Sequence, residues 1–568
     1  MVCHNTTKSL RSVAAILLLL AAATGCKKTW EDVPLEQYTE EYVWDKQDSL
    51  GTKARGFLAE IYSTLPEGYN RVSSDLLDAA TDDAISSVSG TTAVQRLATG
   101  SYTSTNNPED RWGASYSTIR KTSIFLNKFD AVPLSIKMAD GSSAKKAWRG
   151  EARFIRALAY FELLKRYGGV PLMGDLVREV NDDVRLPRNS FEETVNYIVS
   201  ECNKAADSLW LDPIASSQYG YVTKGAALAL KARTLLYAAS PLYNGGNIEA
   251  SNPLTGYTSY NADRWRLAAE AAQALISYGK FSLGSDFKKI FISKGNTEVI
   301  FAKVGGPTKN VESNNGPVGY SSATATGRTS PTQELVDAFP MLNGLPITDA
   351  ASGYDDNFPY ANRDPRLTYT IFYNGAQWLN RSIQTFEGGL DKPNTNAPQT
   401  RSGYYMRKFM GEYESQTNYS DIPHDVILFR YAEVLLNYAE AQNEFAGPVQ
   451  EVYHVLEAIR QRAGLNPYQL KAGLTKEEMR ELIRSERRVE MAFEEQRFWD
   501  IRRWKIAEQV MNQPLHGMRI NISSSGNRTY TRIEVLKAAF KAPAMYLYPV
   551  QYDEVAKNPN MKQNPGWE

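Results

Sequence analysis

Residues 147–167 read A-W-R-G-E-A-R-F-I-R-A-L-A-Y-F-E-L-L-K-R-Y. Phe154, Leu158 and Phe161 fall on one face at helical spacing, with Ile155 and Ala159 beside them. Gly168-Gly169-Val170-Pro171 follows directly and supplies a sharp helix stop. Outward from this stretch the helical period returns again and again. Ser190-Phe191-Glu192-Glu193 is a capping box that opens a helix to about Leu209. The segment 224–239 is rich in alanine, which lets a neighbouring helix approach closely, and Ser240-Pro241 ends it. In 264–278, Ala268, Ala271, Ala272 and Leu275 share a face. Upstream, helices are expected over 44–64 and 111–129, the second with Asp110 as N-cap. The stretch 65–107 between them is irregular. Downstream, 426–444 and 449–463 form a tight pair through Gly447-Pro448, and Thr475-Lys476-Glu477-Glu478 caps a last long helix to about Trp504.

Taken in order these give four helix-turn-helix units: 44–64 with 111–129, 147–167 with 190–209, 224–239 with 264–278, and 426–444 with 449–463. The expected fold is mainly α, a superhelix of stacked helix pairs resembling tetratricopeptide repeats, although insertions break the strict period. From 279 to 425 Gly, Asn, Pro, Ser and Tyr dominate. Short strands are expected at 299–304 and 367–373, and Ser330-Pro331-Thr332-Gln333 marks one short helix. A stretch this long is a folded insertion rather than one loop, a loop-rich α+β subdomain.

The N-terminus carries a second message. Lys8 and Arg11 precede the apolar run Val13–Ala23, and Ala23-Thr24-Gly25 leads into Cys26. Eleven apolar residues are too few to span a bilayer, which takes roughly 20, but they suit a secretory signal. Ala-Thr-Gly-Cys resembles a lipobox, so residues 1–25 read as a signal peptide and 26–568 as the mature body, acylated at Cys26. Removing 1–25 takes away Lys8 and Arg11 and no acid, leaving 62 basic residues against 64 acidic ones. That balance implies no nucleic-acid partner. Cys3 leaves with the signal and Cys26 is taken by lipid, so Cys202 is alone and no intramolecular disulfide forms. His424, His454 and His516 lack zinc-ligand spacing, and no Walker loop, G-x-S-x-G elbow or dinucleotide fingerprint occurs. No cofactor is implied. Asp355-Asp356-Asn357 reads as a solvated turn rather than a calcium loop.

Several stretches, in order, resemble one family. They are G-E-A-R-F-I-R-A-L-A-Y-F-E-L-L-K-R-Y-G-G-V-P at 150–171, K-G-A-A-L-A-L-K-A-R-T-L-L-Y at 224–237, D-P-R-L at 364–367, R-Y-A-E-V-L-L-N-Y-A-E-A-Q-N at 430–443, I-R-Q-R-A-G-L at 459–465 and S-E-R-R-V-E-M-A-F-E-E-Q-R-F-W-D-I-R-R-W at 485–504. L-Y-P-V at 547–550 and Q-N-P-G-W at 563–567 complete the set. Together they resemble the SusD/RagB family of nutrient-binding outer-membrane lipoproteins of Bacteroidota. Val550-Gln551 departs from the family's usual Ile-Pro and puts only that turn in doubt. The resemblance implies an N-terminal SusD-like region at about 26–240 and a C-terminal SusD/RagB region at about 280–568. It implies a lipid anchor at the outer membrane, facing the exterior, and a SusC-like TonB-dependent transporter as partner. It also implies that the loop-rich subdomain is the binding one, with a nutrient ligand, mostly an oligosaccharide, and no catalysis. A surface glycan hydrolase and a peptide-binding helical adaptor are the alternatives. The charged run 484–503 reads as ion pairing within and between helices around Val489, Phe493 and Trp499.

The 33 tyrosines and 10 tryptophans, many in irregular segments, suit sugar rings, which offer C–H bonds on a face and hydroxyls on the rim. Trp112, at the opening of the second helix, corresponds to a tryptophan that the family often has beside its ligand groove. Tyr320 in a glycine-rich stretch and Trp378 in a turn-like context are expected to complete a stacking arc with it. Tyr102 and Asp82 are weaker members, Asp82 as a hydroxyl acceptor.

Overall fold

In the computed structural model, residues 40–179, 181–246, 248–320, 326–394, 398–412 and 420–567 are described. The scaffold comprises α1 (Thr52–Ser63), α2 (Trp112–Lys128), α3 (Lys145–Tyr167), α4 (Phe191–Ala206), α5 (Lys224–Ala239), α6 (Asp263–Tyr278), α7 (Tyr431–Ala446) and α8 (Gln450–Ala463). Each packs on the next, so the four expected pairs stack in one series. α7 lies directly on α6 although the whole insertion separates them in sequence. The alanines of α5 explain its central place, since small side chains let α4 and α6 close in on both sides.

The helix that opened the sequence reading, α3, is buried almost all round, charges included. Its Glu151 accepts from Arg55 Nη1 (2.9 Å) and Tyr62 Oη (2.7 Å) of α1, and from Trp210 Nε1 (2.8 Å) beyond α4. Glu201 of α4 accepts from Arg153 (2.9 Å) and Arg156 (2.7 Å) of α3. A buried carboxylate is stable only when its lone pairs are met in this way, and these bonds fix the register of the first two pairs. One continuous core runs through the scaffold into the insertion, and a smaller one lies among α7, α8 and α9 (Lys476–Glu490).

Four expectations are corrected. Helix α1 begins at Thr52, because Gly51 takes a left-handed φ of 63° before it; Trp44 instead packs against Phe57 and Phe125. Arg111, not Asp110, occupies the cap position of α2. Val426–Arg430 is a strand, β2, paired antiparallel with β1 (Val299–Lys303); two runs of branched and aromatic residues prefer each other to a helix. The last long helix breaks after Glu490 and resumes as α10 (Gln496–Arg503), with Phe493 (φ 63°) and Glu495 (φ 59°) in left-handed backbone.

In the insertion, Asp364 accepts from Arg366 N and starts a helix over Pro365–Thr370, so only Ile371–Phe372 of the expected strand is extended. The short helix near 330 is capped by Thr332 and runs Gln333–Ala338, while Thr329–Pro331 pairs with Ala84–Ser86. An unexpected hairpin, β3 (Pro514–Ile522) with β4 (Arg528–Lys537), leans on the insertion. The tail closes on α3 through Asn564 Nδ2, which donates to the carbonyls of Tyr167 and Tyr548.

Candidate functional site

The residues expected to form a stacking arc are core residues. Trp378 is 1% exposed, Tyr320 2%, Tyr102 2% and Trp112 3%. Tyr320 and Trp378 meet ring to ring at 4.7 Å, and Tyr320 Oη donates to the carbonyls of Trp378 (2.8 Å) and Arg381 (3.1 Å). The Trp378 Nε1 donates to the Gly411 carbonyl, so both polar edges are satisfied inside the protein. Trp112 packs apart from them, against Tyr116 and Tyr167. Tyr102 lies between Tyr548 and Trp567. Asp82 is held by Arg497 (2.7 Å) and Arg488 (2.9 Å); burial raises its carboxyl pKa, but the two guanidinium groups outweigh this and bring it below the usual range. For the four rings the physical reason is shared: a large ring gains more by burial than by waiting at a surface. Cys26 lies outside the described residues.

Half-buried tyrosines gather elsewhere, on the insertion and on the hairpin that leans on it. Tyr360 and Tyr373 stack with centroids 4.4 Å apart at 22°. Tyr530 of β4 meets Tyr360 edge-on at 6.1 Å, and Tyr404 does so at 6.2 Å from below. Tyr354, Tyr360, Tyr373 and Tyr530 are half-buried, whereas Tyr404 is closed off. Phe358, 67% exposed, stands in the same loop as Tyr354 and Tyr360. That loop is pinned by Arg363, which donates to the carbonyls of Pro359 (2.7 Å), Val336 (2.6 Å) and Phe339 (2.6 Å). The hydroxyls form two separate groups: Tyr360 Oη lies 3.2 Å from Tyr404 Oη, which donates to Gln333 Oε1 at 2.6 Å, and Tyr373 Oη lies 3.0 Å from Thr368 Oγ1. Burial raises the phenol pKa values of Tyr360 and Tyr404, so both keep their protons at physiological pH. Arg532 and Asp337 form an ion pair, and Tyr354 feels the charge of both. The result is a rigid surface of tyrosine faces with hydroxyl edges and one ion pair.

Sequence reading missed this group. Its only signal was Tyr354, Tyr360 and Tyr373 recurring in a Gly/Asn/Asp-rich stretch; Tyr530 joins through a hairpin that was not foreseen. Asp355 caps its own turn by accepting from Asn357 N at 2.8 Å. Among the described residues no group of three or more His, Cys, Asp or Glu side chains is placed to hold a metal ion.

A stacked helix-pair scaffold thus carries a loop-rich subdomain with a tyrosine-rich surface. The chain belongs to the SusD family: residues 297–567 match the model of that family, and residues 46–236 match one described as starch-binding associating with outer membrane. The SusD-like protein P38 of Formosa agariphila is 24% identical across 98% of this chain and 99% of its own length. A SusD-like protein of Bacteroides ovatus is 24% identical across 70% of this chain and 66% of its own. Among solved structures, a SusD-like protein of Bacteroides fragilis is 27% identical, with 93% and 98% of the two chains covered and a TM-score of 0.75. A structure named as a laminarin binding SusD-like protein shares the fold at a TM-score of 0.60 and 20% identity, over 91% of this chain and 99% of that one. Members of this family are described as carbohydrate-binding proteins, not as enzymes. The family description associates it with the outer membrane.

Proposed function

We propose that this chain is a cell-surface lipoprotein, acylated at Cys26, that binds an oligosaccharide at the Tyr360–Tyr373–Tyr530 surface and delivers it to a SusC-like TonB-dependent transporter. The observation that carries this reading is the half-buried tyrosine cluster itself. Stacked phenol faces take the C–H face of a sugar ring, and the hydroxyls of Tyr373 and Tyr530 are left to meet its rim. The family description names starch binding, and a structural neighbour is named for laminarin, which supports a glucan as the first ligand to try. The test is a glycan and peptide array, followed by calorimetry on the best ligand. Binding lost in Tyr360→Ala and Tyr530→Ala, with melting retained, is the expected result; peptide binding indifferent to both favours the adaptor. Cys26→Ala is expected to release the protein from membranes, because two or more acyl chains hold a protein nearly permanently. Gentle solubilisation of a tagged chain is expected to recover the transporter barrel.

A further inference from the structure

A cavity of about 350 Å³ lies where the loop after α1, the starts of α2 and α3's second half, β2, and the break before α10 come together. It is separate from the tyrosine surface: the two share no lining residue. Its walls are largely apolar, with Ile155, Leu158, Val426, Leu428, Phe409 and Phe493 among them. Its charges are nearly all compensated. Lys165 pairs with Glu162 at 2.7 Å, Arg166 with Glu109 at 2.6 Å, Arg71 with Glu495 at 2.6 Å, Arg233 with Glu433 at 2.6 Å and Arg430 with Glu494 at 2.7 Å.

Arg111 breaks this pattern. It lines the cavity half-buried, and its guanidinium has no hydrogen bond or ion pair among the described residues. Lys303 stands close enough to feel both Arg111 and Glu67, and its ammonium is committed to the carbonyls of Leu65 (3.0 Å) and Ser63 (3.3 Å). Around Arg111 and Lys303 the acids within reach are the exposed Glu67 and the buried Glu109, which is already paired with Arg71 and Arg166. A half-buried guanidinium beside apolar walls keeps donors free for an anion. Aliphatic walls such as Leu158 and Val426 give a sugar ring no flat face to stack on, whereas a molecule with a carboxylate at one end and an apolar body fills both environments.

We propose that this cavity binds a small carboxylate with an apolar or aromatic body, its carboxylate paired with Arg111 and its body against Leu158, Phe409 and Val426. The proposal is independent of the glycan reading, since it rests on a different site. Trp499 lines the same cavity, with Lys165 Nζ 4.7 Å and the Arg166 guanidinium 4.9 Å from its ring, so its fluorescence reports occupancy.

The experiment titrates the full mature chain with 3-phenylpropionate, 3-phenylpropionamide and glucuronate, followed by tryptophan fluorescence and calorimetry. Phenylpropionate is expected to bind, with the amide and glucuronate each at least tenfold weaker. Arg111→Gln is expected to remove that preference for acid over amide, and Ala114→Leu, which narrows the entrance, to weaken all binding. Melting curves of both variants control for folding, and glycan binding at the tyrosine surface is expected to stay as in the parent. Absence of phenylpropionate binding at millimolar concentration overturns the proposal. So does equal binding of acid and amide, or an Arg111→Gln variant that binds as the parent does.

Discussion

Arg430 Nη1 stands 2.7 Å from both Glu298 Oε1 and Glu490 Oε1, with all three side chains closed to solvent. Arg430 ends β2, Glu298 precedes β1, and Glu490 ends α9. Glu490 also takes Arg366 of the insertion at 3.0 Å and pairs with Arg462 of α8. Glu494 adds Arg430 Nε at 2.7 Å and Lys408 at 2.6 Å. The sequence stretches D-P-R-L, R-Y-A-E, I-R-Q-R and S-E-R-R-V-E thus converge on one carboxylate. Burial raises the pKa of Glu490, and the three arginines more than offset this, holding it ionised. The network joins the insertion to the scaffold, which is why these motifs say little about ligand.

Removing that carboxylate's charge leaves three guanidinium groups facing one another in the core. Glu490→Gln is expected to cost about 3–5 kcal/mol, the range for breaking a buried pair. Urea unfolding of parent and variant measures it. A shift under about 1 kcal/mol shows the network to be dispensable.

How far the sequence foretold this depends on the length of the signal. Helices α3, α5, α6 and α8 carry long apolar periods and clear stops, and they were legible to within a few residues. The run 484–503 was readable as ion pairs because acids and bases alternate around Val489, Phe493 and Trp499. The break at 491–495 was not, since it is set by Lys408 and Arg430 drawing on the carbonyls of Ala492 and Glu490, contacts far apart in sequence. Trp378 and Tyr320 were misplaced for the same reason. A glycine-rich context reports a turn, not which side of the turn the ring falls on.

Glu109 offers a pH test. It is buried between Arg71 and Arg166, which outweigh burial and hold its carboxyl at about 2. Its unfolded value is near 4.5, so the stability it contributes is present above pH 4.5 and is lost as pH falls through about 2. Parent melting is therefore expected to decline between these limits. Glu109→Gln is expected to melt lower at pH 7 and to show a shallower acid slope; an unchanged slope assigns the acid sensitivity to other carboxylates.

Gly168 closes α3 with φ at 80°, where a Cβ would sit 2.2 Å from the Leu254 carbonyl oxygen. Both the left-handed backbone and the contact disfavour a side chain. Gly168→Ala is expected to lower stability by at least about 1–3 kcal/mol, and Gly174→Ala, also at positive φ but with open space around its Cβ, by less. Thermal melts of the two, side by side, separate the clash from the backbone strain.

Finally, the two aromatic groups of the insertion are expected to give opposite signatures. Trp378 is enclosed by Tyr320 and Phe372 at 4.7 and 4.8 Å. Trp378→Ala empties a large core volume and is expected to cost about 3–5 kcal/mol of stability. Measured well below its melting temperature, that variant is expected to retain glycan affinity, because the ring has no face to offer. Tyr530 sits half-buried on a hairpin, with one edge contact to Tyr360. Tyr530→Ala is expected to change stability by about 1 kcal/mol or less but to weaken glycan binding by about 1–2 kcal/mol, roughly 5- to 30-fold. Paired melting and calorimetry on the two variants read both quantities. Loss of affinity in Trp378→Ala with none in Tyr530→Ala moves the ligand away from the tyrosine surface.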